Sequence, residues 1–283
     1  MRRFVKILIP ALLLIAIVVS CAIMFASAAD DNVIYVAAEA KGDGTGSDPD
    51  NAMGHGTYTG KITDTTSSAK EKEFSNAPYQ EVVDYIYSLN YGTVTDTAAK
   101  ADRLYTKNAL YKAFNALAGK GGTIVVMEEL GLEVMTKLTV NSASDNDFPA
   151  SSKTVTLTSN YGGVDYRTTG AKFVLNASKW NNILLDIGCP LVMKDLNIEH
   201  RYTTKYTQSN WEKPVCIYAR GYDLTVDTGV NVTSVAYDGS MNATPGTLYP
   251  NILAGRRYQN VAKDTVITIK SGTWGGVFAA GHG

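Results

Sequence analysis

Gly119–Val126 reads G-K-G-G-T-I-V-V, and the fold turns on this stretch. A helical pattern runs up to it, and short β-branched segments recur after it almost to the last residue. Adjacent glycines allow backbone angles that other residues avoid. Gly121-Gly122 is therefore read as the hinge where a capping helix hands over to the first coil of a parallel β-solenoid. The expected organisation is mainly β: a signal or anchor at 1–28, an N-terminal segment with two capping helices at 29–120, and a solenoid at 121–283.

Upstream, Val82, Ile86 and Leu89 share one helical face, with Pro78 near the first turn. Leu110, Phe114 and Leu117 repeat that spacing, with Thr106 as the expected N-cap and Gly119 as the C-cap. The open end of a sheet stack would leave strand edges bare, so Leu110–Leu117 is assigned as its lid. Val33–Val36 reads as a short strand, and Met53–Asn76 as a polar surface segment.

Downstream, strand-like runs appear at Thr123–Met127, Val134–Val140, Thr154–Ser159, Lys172–Leu175, Ile183–Ile187, Leu191–Ile198, Val215–Ala219, Leu224–Val232, Ile252–Leu253 and Thr265–Lys270. T-L-T-S-N at Thr156, T-V-D-T-G at Thr225 and T-I-K-S-G at Thr268 share one pattern, with Leu157, Val226 and Ile269 facing inward. Ile183–Ile198 aligns with Val215–Val232 at an offset of about 33 residues, setting Leu185 on Ile217, Met193 on Val226 and Ile198 on Val232. Repeats of this length stack, each burying what its neighbour cannot bury alone. A β-sandwich with regularly spaced short strands is the competing architecture.

The N-terminus is basic through Lys6, apolar from Ile7 to Ala26, and carries an A-x-A site at Ala26–Ala28. This is a secretory signal. The apolar run is also long enough, at about 20 residues, to stay as a membrane anchor. Val18–Cys21 offers a third route, a lipidated cysteine. All three place the body outside the cell or in its envelope, with the membrane met only through the N-terminal segment. The formal net charge of −1 gives no basic patch for nucleic acid. With Cys21 in the apolar run, only Cys189 and Cys216 remain, and they are read as apolar packing residues rather than a disulfide.

The succession Ala109–Val126, then T-V-T-L-T-S-N-Y-G-G-V-D-Y-R at Thr154–Arg167 and G-A-K-F-V-L at Gly170–Leu175, resembles right-handed parallel β-helix proteins of the pectin-lyase-like type. It is most similar to surface proteins of Gram-positive bacteria that carry such a domain, and the likeness runs from Val33 to the end. The resemblance implies fold and export, not catalysis.

Lyases of that family hold calcium on stacked acidic residues beside an Arg or Lys base. Here Asp186 falls on Tyr218 and Asp195 near Gly229, so no carboxylate ladder forms, and Arg220 has no acidic partner that can be named. Gly281-His282-Gly283 matches a hydrolase tripeptide, but the paired aspartates such enzymes need are absent. His55, His200 and His282 sit in separate segments, which gives neither a nucleophile triad nor a zinc site. Asp43, Asp48 and Asp50 in the loop Gly42–Asp50 are calcium-ligand types without EF-hand spacing, so the loop is read as a solvated turn.

Tyrosine stands out, with 17 in the chain. Rings with hydroxyl tips suit sugars. Two segments are therefore candidate glycan contacts: Tyr202, Tyr206 and Trp211 with Arg201 and Lys205, and Tyr161, Tyr166 and Arg167. Asn176, Asn231 and Asn242 begin glycosylation triplets that matter only in a eukaryotic secretory pathway. The function expected is a non-catalytic cell-surface protein, stalk or adhesin, binding cell-wall or host polysaccharide. The alternative is a polysaccharide lyase or glycoside hydrolase whose site the sequence does not expose. Thr265–Gly283 is still repeating at the end of the sequence, which predicts further coils.

Overall fold

The computed structural model describes residues 32–64, 70–89, 94–131, 150–177, 183–203, 216–238, 242–255 and 264–279, all within the unit Asn32–Gly283. Ile7–Ala26, Val134–Val140, Tyr206, Trp211 and His282 lie outside them. Among the described residues no helix is long and apolar enough to cross a membrane.

The chain is mainly β, and most of it is parallel sheet. The first sheet runs β1 (Val33–Val36), β5 (Gly122–Val126), β7 (Val155–Thr158), β12 (Leu191–Met193), β15 (Leu224–Val226), β19 (Ile267–Ile269). The second runs β6 (Glu129–Gly131), β10 (Lys172–Ala177), β13 (Asn197–Thr203), β16 (Asn231–Tyr237), with β17 (Ala243–Pro245) added antiparallel at its edge. The third runs β11 (Ile183–Asp186), β14 (Cys216–Tyr218), β18 (Asn251–Leu253), β20 (Gly276–Phe278). From β10 to β19 the chain visits the second, third and first sheets in that order three times, with β17 added to the second sheet on the last pass.

The registers pair residues of like size. Ile34, Ile124, Leu157, Met193, Val226 and Ile269 form one continuous column. All but Ile269, which is half-buried on the edge strand, lie in the core. Leu185 pairs with Ile217, Met193 with Val226 and Ile198 with Val232, as the repeat alignment expects. The expected single runs Leu191–Ile198 and Leu224–Val232 are each two strands on different sheets. The corners between them sit at Asp195 and Gly229, both with positive φ. A side chain on Gly229 would meet the Asp195 carboxylate at 2.2 Å, so successive corners nest closely enough to require glycine.

A helix ending at Leu117 is followed by β5 at Gly122, but the sheets do not begin there. β1 pairs with β5 from Val33–Thr123 to Val36–Val126, so the first sheet starts in the segment read as helical cap. Gly122 is needed for this reason: a Cβ there would lie 2.1 Å from the Asn32 carbonyl oxygen. The two helices are α1 (Tyr79–Ser88), burying Val82, Val83 and Ile86, and α2 (Ala109–Leu117), burying Leu110, Ala113, Phe114 and Leu117. Helix α2 packs on β1 and β5. Its N-cap is Asn108, not Thr106. The Asn108 Oδ1 accepts from Leu110 N and Tyr111 N, while the Thr106 hydroxyl bonds back to Arg103 O.

Met53–Asn76 is not a mere surface tract. It supplies β2 (Thr57–Asp64) and most of β3 (Glu71–Pro78), which with β4 (Val94–Asp96) make an antiparallel sheet in the order β3-β2-β4. Its apolar residues Tyr58, Ile62 and Phe74 are buried. Tyr58 donates to Asp96 at 2.6 Å, and Asp96 also accepts from Ala98 N and Leu104 N. That tie fixes the turn leading towards α2.

Candidate functional site

One cluster on the outer side of the first sheet gathers three tyrosines from two distant segments. Ile34 and Val36 point into the core, so alternation turns Tyr35 outward. After β7 the chain makes a hairpin of β8 (Asn160–Tyr161) and β9 (Val164–Asp165). Its turn residues Gly162 and Gly163 both have positive φ, as a two-residue hairpin turn requires. A 3-10 turn at Tyr166–Thr169 follows. Asp165 caps it through Arg167 N, and Gly170 ends it in the left-handed region.

This folds Tyr161 and Tyr166 back over β1. The Tyr35 and Tyr161 rings meet edge to face, with centroids 6.2 Å apart and planes at 81°. Tyr35 and Tyr166 pack on the same small apolar base of Ala37, Ala52 and Met127. Val164, opposite Tyr161 in the hairpin, is 49% exposed. Burial, the neighbouring tyrosines and the Asp48 charge raise the Tyr35 phenol above its ordinary range, so its hydroxyl is neutral at physiological pH.

Arg167 does not offer its charge to a ligand. Its guanidinium forks onto Asp165, with Nε–Oδ1 and Nη2–Oδ2 both 2.8 Å, and Nη1 donates to Gly229 O at 2.8 Å. Asp195 lies 3.5 Å from the same nitrogen. The Arg167 hydrogen bond holds the Asp165 carboxyl below the usual carboxylate range. Arg167 thus clamps the hairpin to the corner at Asp195 and Gly229.

The second expected aromatic segment is not a loop at its start. His200, Arg201 and Tyr202 belong to β13, and Tyr202 is only 6% exposed. Its phase is that of Ile198 and His200, towards the interior, where its hydroxyl accepts from Thr247 N. Tyr202 is therefore removed as a glycan contact. Tyr206 and Trp211 lie outside the described residues.

Sequence reasoning did not see the charged quartet on the opposite face of the second sheet. Lys172 on β10 contacts Glu129 on β6 at 3.1 Å and Glu199 on β13 at 2.8 Å, and Arg201 bonds both carboxylates. Two carboxyl groups are neighbours there, as a hydrolase would ask. A general acid, however, must hold its proton near neutral pH. Glu199 is desolvated, yet hydrogen bonds from Lys172 and Arg201 carry its carboxyl below the ordinary value. The quartet is an ion-paired staple across three strands.

The other candidates resolve as structure. Asp43 accepts from Thr45 N and Thr45 Oγ1, and Asp48 from Asp50 N, Asn51 N, Ser47 Oγ and Asn51 Nδ2. These carboxylates cap turns. Among the described residues no group of three or more His, Cys, Asp or Glu is placed to hold a metal ion. Cys189 is a buried free thiol, pushed up to about 11 by burial, which fits the reading against a disulfide. His55 lies at the start of α2, and His200 is interior with Nδ1 3.0 Å from Leu248 O. Arg220 sits at a corner with positive φ.

No family model, no curated protein and no solved structure matches this chain.

Proposed function

We propose that this is an exported, non-catalytic surface protein, a right-handed parallel β-helix that binds glycan through the patch of Tyr35, Tyr161 and Tyr166. Three features support the winding. The strands cycle through three parallel sheets, their inner residues stack in columns, and the corners recur at Asp195 and Gly229. Parallel strands joined by such crossovers take the right hand. The resemblance to pectin-lyase-like surface domains agrees with that winding, and the basic-apolar-small pattern of the first 28 residues supports export.

The observation that carries the binding role is the patch itself. Three half-buried rings and an exposed valine converge from segments well over a hundred residues apart, on a face that needs no aromatic for its own core. Sugar rings lay C–H faces on tyrosine and hydrogen-bond to its hydroxyl. A polysaccharide-cleaving enzyme is the second reading, favoured by the neighbouring carboxylates of Glu129 and Glu199 and opposed by their closed ion pairing.

The test is a glycan array probed with the exported protein and with Tyr161→Ala. The reading expects defined glycans to be retained and the retention lost in the variant. Retention unchanged by Tyr161→Ala, or no retention by the wild type, overturns it.

A further inference from the structure

The electrostatics of the patch point to the kind of glycan it takes. The cations at its border are already neutralised. Lys41 pairs with Glu128 at 2.8 Å, and Arg167 is held by Asp165. The carboxylates at its border are not. The loop Gly42–Asn51 is bound along β1, with Tyr35 N donating to Gly46 O at 2.9 Å and Ala52 lying under Tyr35 and Tyr166.

That loop carries Asp43, Asp48 and Asp50. Asp43 and Asp48 accept from neutral N–H and O–H donors, and none of the three makes an ion pair among the described residues. The loop's charge reaches the rings: Asp48 acts on the Tyr35 phenol, and at Tyr166 the Asp50 carboxylate opposes the larger effect of the Glu128-paired Lys41. A ligand lying on the tyrosines meets aromatic faces, which attract cations, beside carboxylates that have no counter-ion of their own.

We propose that the tyrosine patch selects a glycan bearing free amino groups, such as a glucosamine polymer, and rejects uronic-acid polymers. This rests on the glycan-binding reading above. The ammonium groups sit over tyrosine faces towards Asp48 and Asp50, while the pyranose faces stack on Tyr161. A galacturonate chain at the same place is repelled by the loop and finds no unpaired cation there.

The experiment is a calorimetric titration of the full exported chain with hexamers of glucosamine, N-acetylglucosamine and galacturonate, each at low and at physiological salt. The glucosamine hexamer is expected to bind about fivefold or more tighter than the acetylated one at low salt, with the gap narrowing as salt screens it. Galacturonate is expected not to bind. Asp50→Asn, which removes an exposed charge, narrows the gap and leaves the acetylated hexamer unchanged. Tyr161→Ala weakens both.

Equal binding of the charged and acetylated hexamers, preference for galacturonate, or an unchanged gap in Asp50→Asn overturns the charge selection and leaves glycan binding standing. Glucosamine binding that survives Tyr161→Ala is diffuse charge attraction and overturns the proposal. Binding of none of the three overturns both readings.

Discussion

The Nδ1 atom of His55 accepts a hydrogen bond from the backbone N–H of Ala109 at 3.0 Å, at the first residue of helix α2. Its ring stacks on Tyr79 with centroids 4.2 Å apart, and the Lys112 ammonium donates to the adjoining Gly54 carbonyl at 2.7 Å. The bond needs a neutral imidazole. Protonation would set a cation against the positive end of the helix and beside Lys112.

Acid should therefore loosen the helix that covers β1 and β5. Burial, with Lys112 beside it, lowers the His55 pKa to about 4, and burial lowers that of His200 to about 4. The unfolded chain takes up these protons near pH 6.5, before the folded chain does. Stability is then full above about pH 6.5 and falls as the pH drops towards 4. The loss is on the order of 3 kcal/mol for a histidine as enclosed as His200 and smaller at the partly solvated His55. Urea midpoints measured between pH 7 and 4.5 check this. His55→Gln, which keeps an acceptor without the titration, should flatten part of the slope. A wild-type midpoint that does not move over that range contradicts the account.

Asn108 carries more than a helix cap. Its Oδ1 serves Leu110 N and Tyr111 N, and its Nδ2 donates to Tyr79 OH and Gly131 O. Losing the cap costs about 1 kcal/mol, and the buried partners left unpaired add about as much again or more. Asn108→Ala should destabilise the protein by roughly 2–4 kcal/mol in denaturant unfolding. Thr106→Ala should cost under about 1 kcal/mol. Comparable losses in the two variants would return the cap to Thr106.

The core column predicts a contrast between neighbouring positions. Met193 is fully buried between Leu157 and Val226, whereas Thr225 faces outward and is half-exposed. Met193→Ala should cost about 2–5 kcal/mol through the cavity it leaves, and Thr225→Ala well under about 1 kcal/mol. Thermal unfolding of the two variants decides, and similar losses would mean the strand faces are misassigned.

Arg201 holds two carboxylates at once. Arg201→Met leaves Glu129 and Glu199 to share Lys172, and should destabilise by about 2 kcal/mol at pH 7. The Glu199 pKa is depressed in the folded state, so its pairing stabilises the protein above its ordinary pKa and the benefit is lost as the pH falls below it. The penalty of the variant should therefore shrink towards pH 3. A penalty independent of pH would mean that packing of the arginine stem, not its charge, accounts for the loss.

Much of the parallel sheet was legible because it is locally written. The repeat of Ile183–Ile198 in Val215–Val232 placed Leu185 on Ile217 and Met193 on Val226. The start of the first sheet was not legible, because Val33–Val36 meets β5 across a long insertion and no local pattern links them. β2 and β3 were hidden for the reason that edge-rich antiparallel strands are polar on their solvent side. Tyr202 was misplaced although the signal existed: Ile198, His200 and Tyr202 share one phase, and a strand with one buried member buries the set. Tyr35 was readable by the same rule from Ile34 and Val36. The charged quartet was beyond the sequence, since it depends on the register of three strands.

The chain returns to the first sheet repeatedly, each time one strand further along. Cross-linking reads this directly. In a background lacking Cys21, Cys189 and Cys216, Val192→Cys with Thr225→Cys places the thiols on adjacent strands in direct register. Neighbouring strands lie about 4.8 Å apart, within the span of a disulfide. Thr156→Cys with Thr225→Cys places them two strands apart, with β12 between, at roughly twice that distance. The winding predicts rapid intramolecular oxidation of the first pair and none of the second. Oxidation of the second pair in the folded protein would contradict it.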